Sequence, residues 1–361
     1  MALSHYRELR QGQGTRPESR MLAPEGQLGT WRTLRWARLI SALLCLAFGM
    51  LVAWPAESQG KYPERSIRLV VPFAPGGSND LIARLWVEKM KVLLGPVFIE
   101  NQGGGGGLVG GAAVARANPD GYTILLASAG SQVVIPAATN QLPYDPAKDL
   151  VPISILTVVA LSVVVHPSLP VSNLTELADY AKANPGKLSY GSAGAGTLAH
   201  LTGELFKSLA ETPDIVHVPY KGNSQSISDL MSGNIPIVIL SVNGHLLELH
   251  RSGRVRMLAI TTPARIGAAP NIPTAVESGW PGVIAQNFYG LFAPVGTPKA
   301  IIEQISQATQ IAMADNEFRQ RYIASGFEPH LDSNPQAAQH FIEDEIARWA
   351  PVIKAIGLKL D

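Results

Sequence analysis

From Lys61 onward, apolar residues fall into two alternating rhythms along the chain. Short β-branched runs such as Ile67–Val71 (IRLVV) suit strands, and longer stretches place apolar residues at helical spacing. The clearest helical stripe follows that first run. Leu81, Ile82, Leu85, Trp86, Met90, Leu93 and Leu94 share one face, with Asn79 or Asp80 as a cap in front and Gly95-Pro96 as a stop behind. Further strands are expected at Val97–Glu100, Tyr122–Ala127, Ser162–His166, Leu188–Tyr190, Ile215–Val218, Ile235–Leu240 and Met257–Thr261. Helices are expected at Val109–Ala117, Leu174–Ala183, Thr197–Leu209, Ser224–Met231 and His245–Ser252. Asn173 with Glu176 has capping-box spacing, while Asn118–Gly121 and Asn184–Gly186 read as turns. Pro298–Leu358 reads as mostly helical, with a break at Pro335. Strand–helix alternation predicts α/β layers with largely parallel sheets. About 300 residues of this pattern exceed one comfortable core, so two α/β lobes are expected.

The first part of the chain follows a different pattern. Residues up to Gly29 are polar and lack periodicity, and Arg32, Arg35 and Arg38 then precede the apolar run Leu39–Ala53. Those 15 residues are short for a membrane span, which needs about 20. They suit the hydrophobic region of a signal peptide, with cleavage near Ser58–Gln59 after Ala56-Glu57-Ser58. An uncleaved N-terminal anchor is the rival reading. Leu44 before Cys45 is too bulky for lipoprotein processing, and a start at Met21 would give a more ordinary signal peptide. The expected location is therefore periplasmic, with residues 1–58 removed.

Charge and cysteine content narrow the function classes. The formal charge of the 361 residues is +1, and no basic run is interleaved with aromatics, so no nucleic-acid partner is expected. Residues 1–58 hold seven Arg and four acidic residues, which leaves 22 basic and 24 acidic residues, net −2, in the exported part. The single cysteine, Cys45, falls in the export segment, so the exported part carries no thiol to mispair.

Two glycine-rich loops join a strand to a helix. Pro72–Asp80 (PFAPGGSND) brings Gly76 and Gly77 to a helix start, and Gly191–His200 (GSAGAGTLAH) repeats the arrangement with Ser192 and Thr197 hydroxyls. In open α/β sheets ligands lie beyond the carboxyl ends of strands, where free amides favour an anion. Neither loop contains an arginine, so neutral dipoles rather than a salt bridge would hold that anion. Each loop also has a simpler reading, a tight turn capped by Asp80 or a buried helix histidine at His200. A third run, Gly103–Gly111, fits G-x-G-x-x-G spacing weakly and lacks the acidic residue about 20 positions on, so no nucleotide cofactor is expected. Ser192 lacks the glycine of a nucleophile elbow, and the spacing of His245, Glu248 and His250 fits no zinc motif. No catalytic or metal site is expected.

Taken together, these motifs resemble the extracytoplasmic solute receptors of the tripartite tricarboxylate transporter type, the Bug or TctC-like proteins. The resemblance covers nearly all of residues 61–361. It rests on Tyr62-Pro63, PFAPGGSND at 72–80, Asn118–Tyr122 (NPDGY), Leu142–Asp149 (LPYDPAKD) and Val165–Pro167. It continues through Asn184–His200, Val216–Gly222 (VHVPYKG), Asn271–Gly279 (NIPTAVESG) and Leu291–Pro298 (LFAPVGTP). It implies a two-lobed, type II-like periplasmic binding-protein fold, each lobe a mainly parallel sheet flanked by helices, with a hinge of two crossings near Leu156–Val163 and Gln286–Leu291. Lobe one would be 61–161 plus 286–361, and lobe two 162–285. The implied function is reception of a small organic carboxylate between the lobes, for membrane transporter subunits or a sensor, by a monomer that is not an enzyme. The matching ligand-binding positions are Ala74, Gly76, Gly77 and Asp80 on one wall, and Ser192, Ala193, Gly194, Gly196, Thr197 and His200 on the other, with Ser128 and Tyr220 besides. The rival is a hydrolase or isomerase of a small carboxylate on the same scaffold, with His200 or Asp80 as base.

Two departures from the family pattern stand out. Ser241-Val242-Asn243 replaces a common Asp near the end of one strand, which argues against amino-acid ligands. Asn101–Gly104 replaces a common Asn-Arg-Pro-Gly run, which leaves the role of the five-glycine loop open.

Overall fold

A computed structural model describes residues 62–360. The expected signal segment and its cleavage site lie outside the described residues. Among the described residues no helix is long and apolar enough to cross a membrane. The strands are β1 (Ile67–Val71), β2 (Val97–Asn101), β3 (Thr123–Ser128), β4 (Leu150–Val165), β5 (Ser189–Ser192), β6 (Val216–Pro219), β7 (Ile237–Ser241), β8 (Arg256–Ile260), β9 (Gln286–Pro294) and β10 (Glu328–Pro329). The longer helices are α1 (Ser78–Leu93), α2 (Leu108–Ala115), α3 (Leu174–Ala183), α4 (Leu198–Ala210), α5 (Asn223–Met231), α6 (Gly244–Arg251), α7 (Lys299–Ala314), α8 (Asn316–Ala324) and α9 (Pro335–Ala355).

One curled sheet runs β2-β1-β3-β9-β4-β7-β5-β6, with β8 and β10 also paired to β4. The outer pairs β1–β2, β1–β3, β5–β6 and β5–β7 are parallel, as strand–helix alternation demands. Antiparallel pairing is confined to the middle, where β4 and β9 run. The 16 residues of β4 reach roughly 50 Å. Leu150–Ala160 pair with β9, and Leu161–Val165 pair with β7 and β8, so this one strand passes from one half of the sheet to the other. The apolar core follows suit. One cluster packs α1, α7 and α8 on the first half, a second packs α5 and α6 on the other, and a third runs continuously beneath both.

Three expectations needed correction. The strand expected at Ser162–His166 is only the end of β4, and β9 had no strand assigned to it. β4 is buried on both faces along most of its length, so it lacks the polar–apolar alternation that marks a half-exposed strand. Pro152 interrupts its ladder, and the register shifts between Pro152 and Ser154 absorb that residue. Pro335 does not break a helix but opens one. It stands at the first turn of α9, where no amide donor is needed, and Asn334 accepts from Ala337 N at 2.9 Å. Finally, α1 starts at Ser78 behind Gly77, which provides no side-chain cap, so neither Asn79 nor Asp80 fills that position.

Candidate functional site

The carboxyl ends of β1 and β5 each feed a glycine turn and then a helix, and these two turns are the expected walls of the ligand cleft. On the first wall, Gly76 has φ +83, a conformation that favours glycine. The Asp80 carboxylate, 2% exposed, reaches back one turn to accept from Gly76 N at 3.0 Å. It also accepts from Arg84 Nε at 2.8 Å and Asn101 Nδ2 at 3.2 Å, while Asn101 donates to Phe73 O at 3.1 Å. Asp80 and Asn101 thus fix the turn from behind. The amides of Gly77, Ser78 and Asn79, at the start of α1, have no acceptor among the described residues. Asn79 itself is buried, and its Oδ1 has no hydrogen-bond partner.

Burial alone would raise the Asp80 pKa, but hydrogen bonds from Arg84, Gly76 and Asn101 outweigh it and hold the carboxyl below its usual range. A lowered folded-state value means that this group's stabilisation is complete above an ordinary aspartate pKa of about 3.9 and disappears as pH falls through the folded value. Asp80→Asn is therefore expected to destabilise the protein by about 2 kcal/mol at neutral pH. The gap in melting temperature between variant and parent should close below about pH 4; a gap independent of pH would contradict this role for Asp80.

On the second wall, Gly194 has φ +143 and Gly196 has φ +74. Thr197 caps α4, accepting from His200 N at 3.3 Å and donating to Gly194 O at 2.8 Å. Ser192 Oγ accepts from Gly194 N at 3.2 Å, and His200 Nδ1 accepts from Gly196 N at 3.1 Å. The amides of Ala193, Ala195, Leu198 and Ala199 have no acceptor among the described residues. Tyr220 lays its ring against Gly191 and sends its hydroxyl to Asp229 Oδ2 at 2.8 Å, away from the turn.

The walls touch. Ala74 N donates to Lys221 O at 3.3 Å, Ser224 Oγ to Pro75 O at 3.1 Å, and Asn243 Nδ2 to Ser78 Oγ at 3.2 Å. The five-glycine loop, whose role the sequence left open, packs against the second turn: a Cβ placed on Gly106 would come within 2.2 Å of Ala195 O. Ser128, 3% exposed, lies at the cleft end of β3. Beside it Asn287 accepts from Ala129 N at 3.3 Å and donates to Tyr289 OH at 3.0 Å, which in turn meets Ser241 Oγ at 2.8 Å. Asn243 also caps α6 through Leu246 N. The two residues standing near the family's aspartate are thus engaged in neutral hydrogen bonds across and beside the cleft. A cavity of about 560 Å³ between α7 and the start of α9 is lined by none of these residues.

Sequence reasoning picked the two turns; the structure joins the first to Lys221, Ser224 and Asn243 and sets the five-glycine loop against the second. It missed Asn101, Asn243, Asn287 and Tyr289. Asn101 stood beside a motif already singled out, but nothing in the spacing showed that it braces a loop. Among the described residues the only arginine hydrogen-bonded to either turn is Arg84, which pairs with Asp80 behind the first. Arg251 pairs with Glu248, Arg265 pairs with Glu277, and Arg256 holds Leu169 O and Val171 O. Alanine substitution of Arg251, Arg254, Arg256 or Arg265 is expected to change ligand affinity less than about threefold, under 1 kcal/mol. Loss of binding from one of them in a folded protein would mean that a salt bridge holds the ligand.

A profile described as the tripartite tricarboxylate transporter family receptor matches residues 82–358. BugT of Bordetella pertussis is 35% identical over 305 residues, which span 84% of this chain and 93% of that one. Among solved structures, an R. palustris protein with adipate is 32% identical with a TM-score of 0.79, covering 82% of this chain and 99% of that one. MatC from Rhodopseudomonas palustris with bound malate is 30% identical with a TM-score of 0.77, covering 81% of this chain and all (100%) of that one.

Proposed function

Because the chain belongs to the tripartite tricarboxylate transporter receptor family, we propose that it is a periplasmic receptor that closes two lobes over a small dicarboxylate. It then hands that ligand to membrane transporter subunits. Lobe one is 61–161 plus 286–361, lobe two is 162–285, and the receptor works as a monomer. The observation that carries the reading is the pair of glycine turns whose amides, at 77–79 and at 193, 195, 198 and 199, have no acceptor among the described residues. Two such amide sets suit a ligand with a carboxylate at each end, and the adipate and malate held by the two R. palustris relatives are both of that kind. Ala74, Gly76, Gly77, Ser128, Ala193, Gly194 and Gly196 offer backbone to the ligand. Asp80, Ser192, Thr197, His200 and Tyr220 act by shaping the turns.

Micromolar affinity needs about 8 kcal/mol. Hydrogen bonds to a charged group contribute about 1.5–3 kcal/mol each, so the unspent amides suffice even after ordering costs. The ligand drives closure only as far as it prefers the closed form. A hydrolase or isomerase using His200 or Asp80 gains no support, since the Nδ1 of one and the carboxylate of the other are already engaged with loop donors.

Calorimetric titration with C4–C6 dicarboxylates, tricarboxylates, aromatic acids and amino acids tests the reading. Micromolar binding of one dicarboxylate class, without turnover, is expected. Binding of amino acids alone, or of no acid at all, would refute it.

A further inference from the structure

We propose that His200 and His217 are positioning residues that hold the ligand-facing 192–197 turn in shape from behind; the proposal rests on the cleft reading above. Their rings stack at 3.8 Å between centroids with planes 14° apart, beneath the turn. Each ends on a different glycine of the turn. His200 Nδ1 accepts directly from Gly196 N at 3.1 Å. His217 Nε2 lies 2.8 Å from Ser192 Oγ, which accepts from Gly194 N at 3.2 Å and lies 3.0 Å from Gly194 O. Both glycines have positive φ, which glycine adopts freely, and fixing their amides leaves those of Ala193 and Ala195 unspent.

The surroundings keep both rings neutral. An Nδ1 that accepts from an amide carries no proton, so the His200 proton sits on Nε2, which faces Glu204 Oε1 at 4.0 Å. Glu204 is already occupied by Lys207 Nζ at 2.9 Å and by Tyr190 OH at 2.8 Å. Tyr190 also lies 4.8 Å from the His217 ring, so Tyr190, Glu204 and Lys207 are the ionisable groups facing the pair. Burial above all pushes His200 down to about 4 and His217 to about 3. A stack of two imidazoles can therefore act as acceptor and hydroxyl partner without placing positive charge behind a neutral wall.

If these rings only filled space, leucine would serve. If they position the turn, one hydrogen-bonding atom matters at each site, an acceptor at His200 and a partner for the Ser192 hydroxyl at His217, and a carboxamide can supply either. Asparagine Oδ1 takes the place of His200 Nδ1, and the end of a glutamine takes the place of His217 Nε2. The test compares His200→Leu, His200→Asn, His217→Leu and His217→Gln in the intact protein, by calorimetry with malate and adipate and by hydrogen exchange at amides 193–199. The leucine variants should lose tenfold or more in affinity and exchange these amides at least tenfold faster. The asparagine and glutamine variants should bind within threefold of the parent with its exchange rates. Leucine variants that bind and exchange like the parent would overturn the proposal, as would carboxamide variants no better than leucine. If the parent binds neither acid, the cleft reading fails, while exchange at 193–199 still decides the role of the histidines. If a leucine variant does not fold, parent-like exchange and binding in its carboxamide counterpart support the proposal, and fast exchange with weakened binding contradicts it.

Discussion

Gly106→Ala is expected to lower ligand affinity ten- to a hundredfold while leaving a cooperatively folding protein. Gly106 has φ +63, and an added Cβ would sit 2.2 Å from Ala195 O on the opposite wall. That oxygen belongs to a braced turn, so the walls must part by about 1 Å to restore contact distance, which weakens the lobe-to-lobe contacts beside it. In the proposed receptor only the closed form would suffer this clash. The fraction of molecules able to close therefore falls, and the apparent affinity falls with it. Gly105→Ala separates the steric effect from the backbone effect. Gly105 has a similar φ of +55, but its added Cβ meets only Leu108 Cβ at 3.5 Å. Both variants pay about 1–2 kcal/mol for an alanine in left-handed conformation, and only Gly106→Ala should lose binding strongly. Equal affinities measured by calorimetry for the two variants would mean that the five-glycine loop does not meet the second turn during closure.

Gly77→Trp is expected to abolish ligand binding, a loss of a hundredfold or more, whereas Gly77→Ala should stay within about threefold of the parent. Gly77 has φ −86, which any residue adopts, and a Cβ there meets Asn223 Cβ at 3.7 Å, an ordinary contact. Alanine therefore fits between the walls, at a cost on the order of 1 kcal/mol for a poorer helix start. An indole cannot fit without holding the walls apart beside the amides of Ser78 and Asn79. Parent-like titration of the tryptophan variant would place the ligand elsewhere.

The outer parts of the fold were legible because their chemistry is local. The α1 stripe, the capping pair Asn173 and Glu176 before α3, and the parallel strands around β1 and β5 follow from periodicity and caps alone. The central strands were not legible, because β4 buries both faces and β9 carries Gly290 against the Ile155 side chain. Such strands are set by their neighbours rather than by their own alternation. The same division holds at the site. Glycine turns before helices announce free amides, so both turns could be named from sequence. The braces could not, because Asp80 to Asn101 spans 21 positions and Ser192 to His217 spans 25. Contacts of that separation leave no periodic trace.

The most direct measurement is hydrogen exchange along the whole chain, with and without a saturating dicarboxylate chosen by calorimetry. If the ligand is held by backbone dipoles from both walls, amides 77–79 and 193–199 slow together, and the five-glycine loop slows with them as it closes on Ala195. Slowing of one wall only, or of the cavity between α7 and α9 instead, would contradict a receptor that closes two amide-lined turns over its ligand.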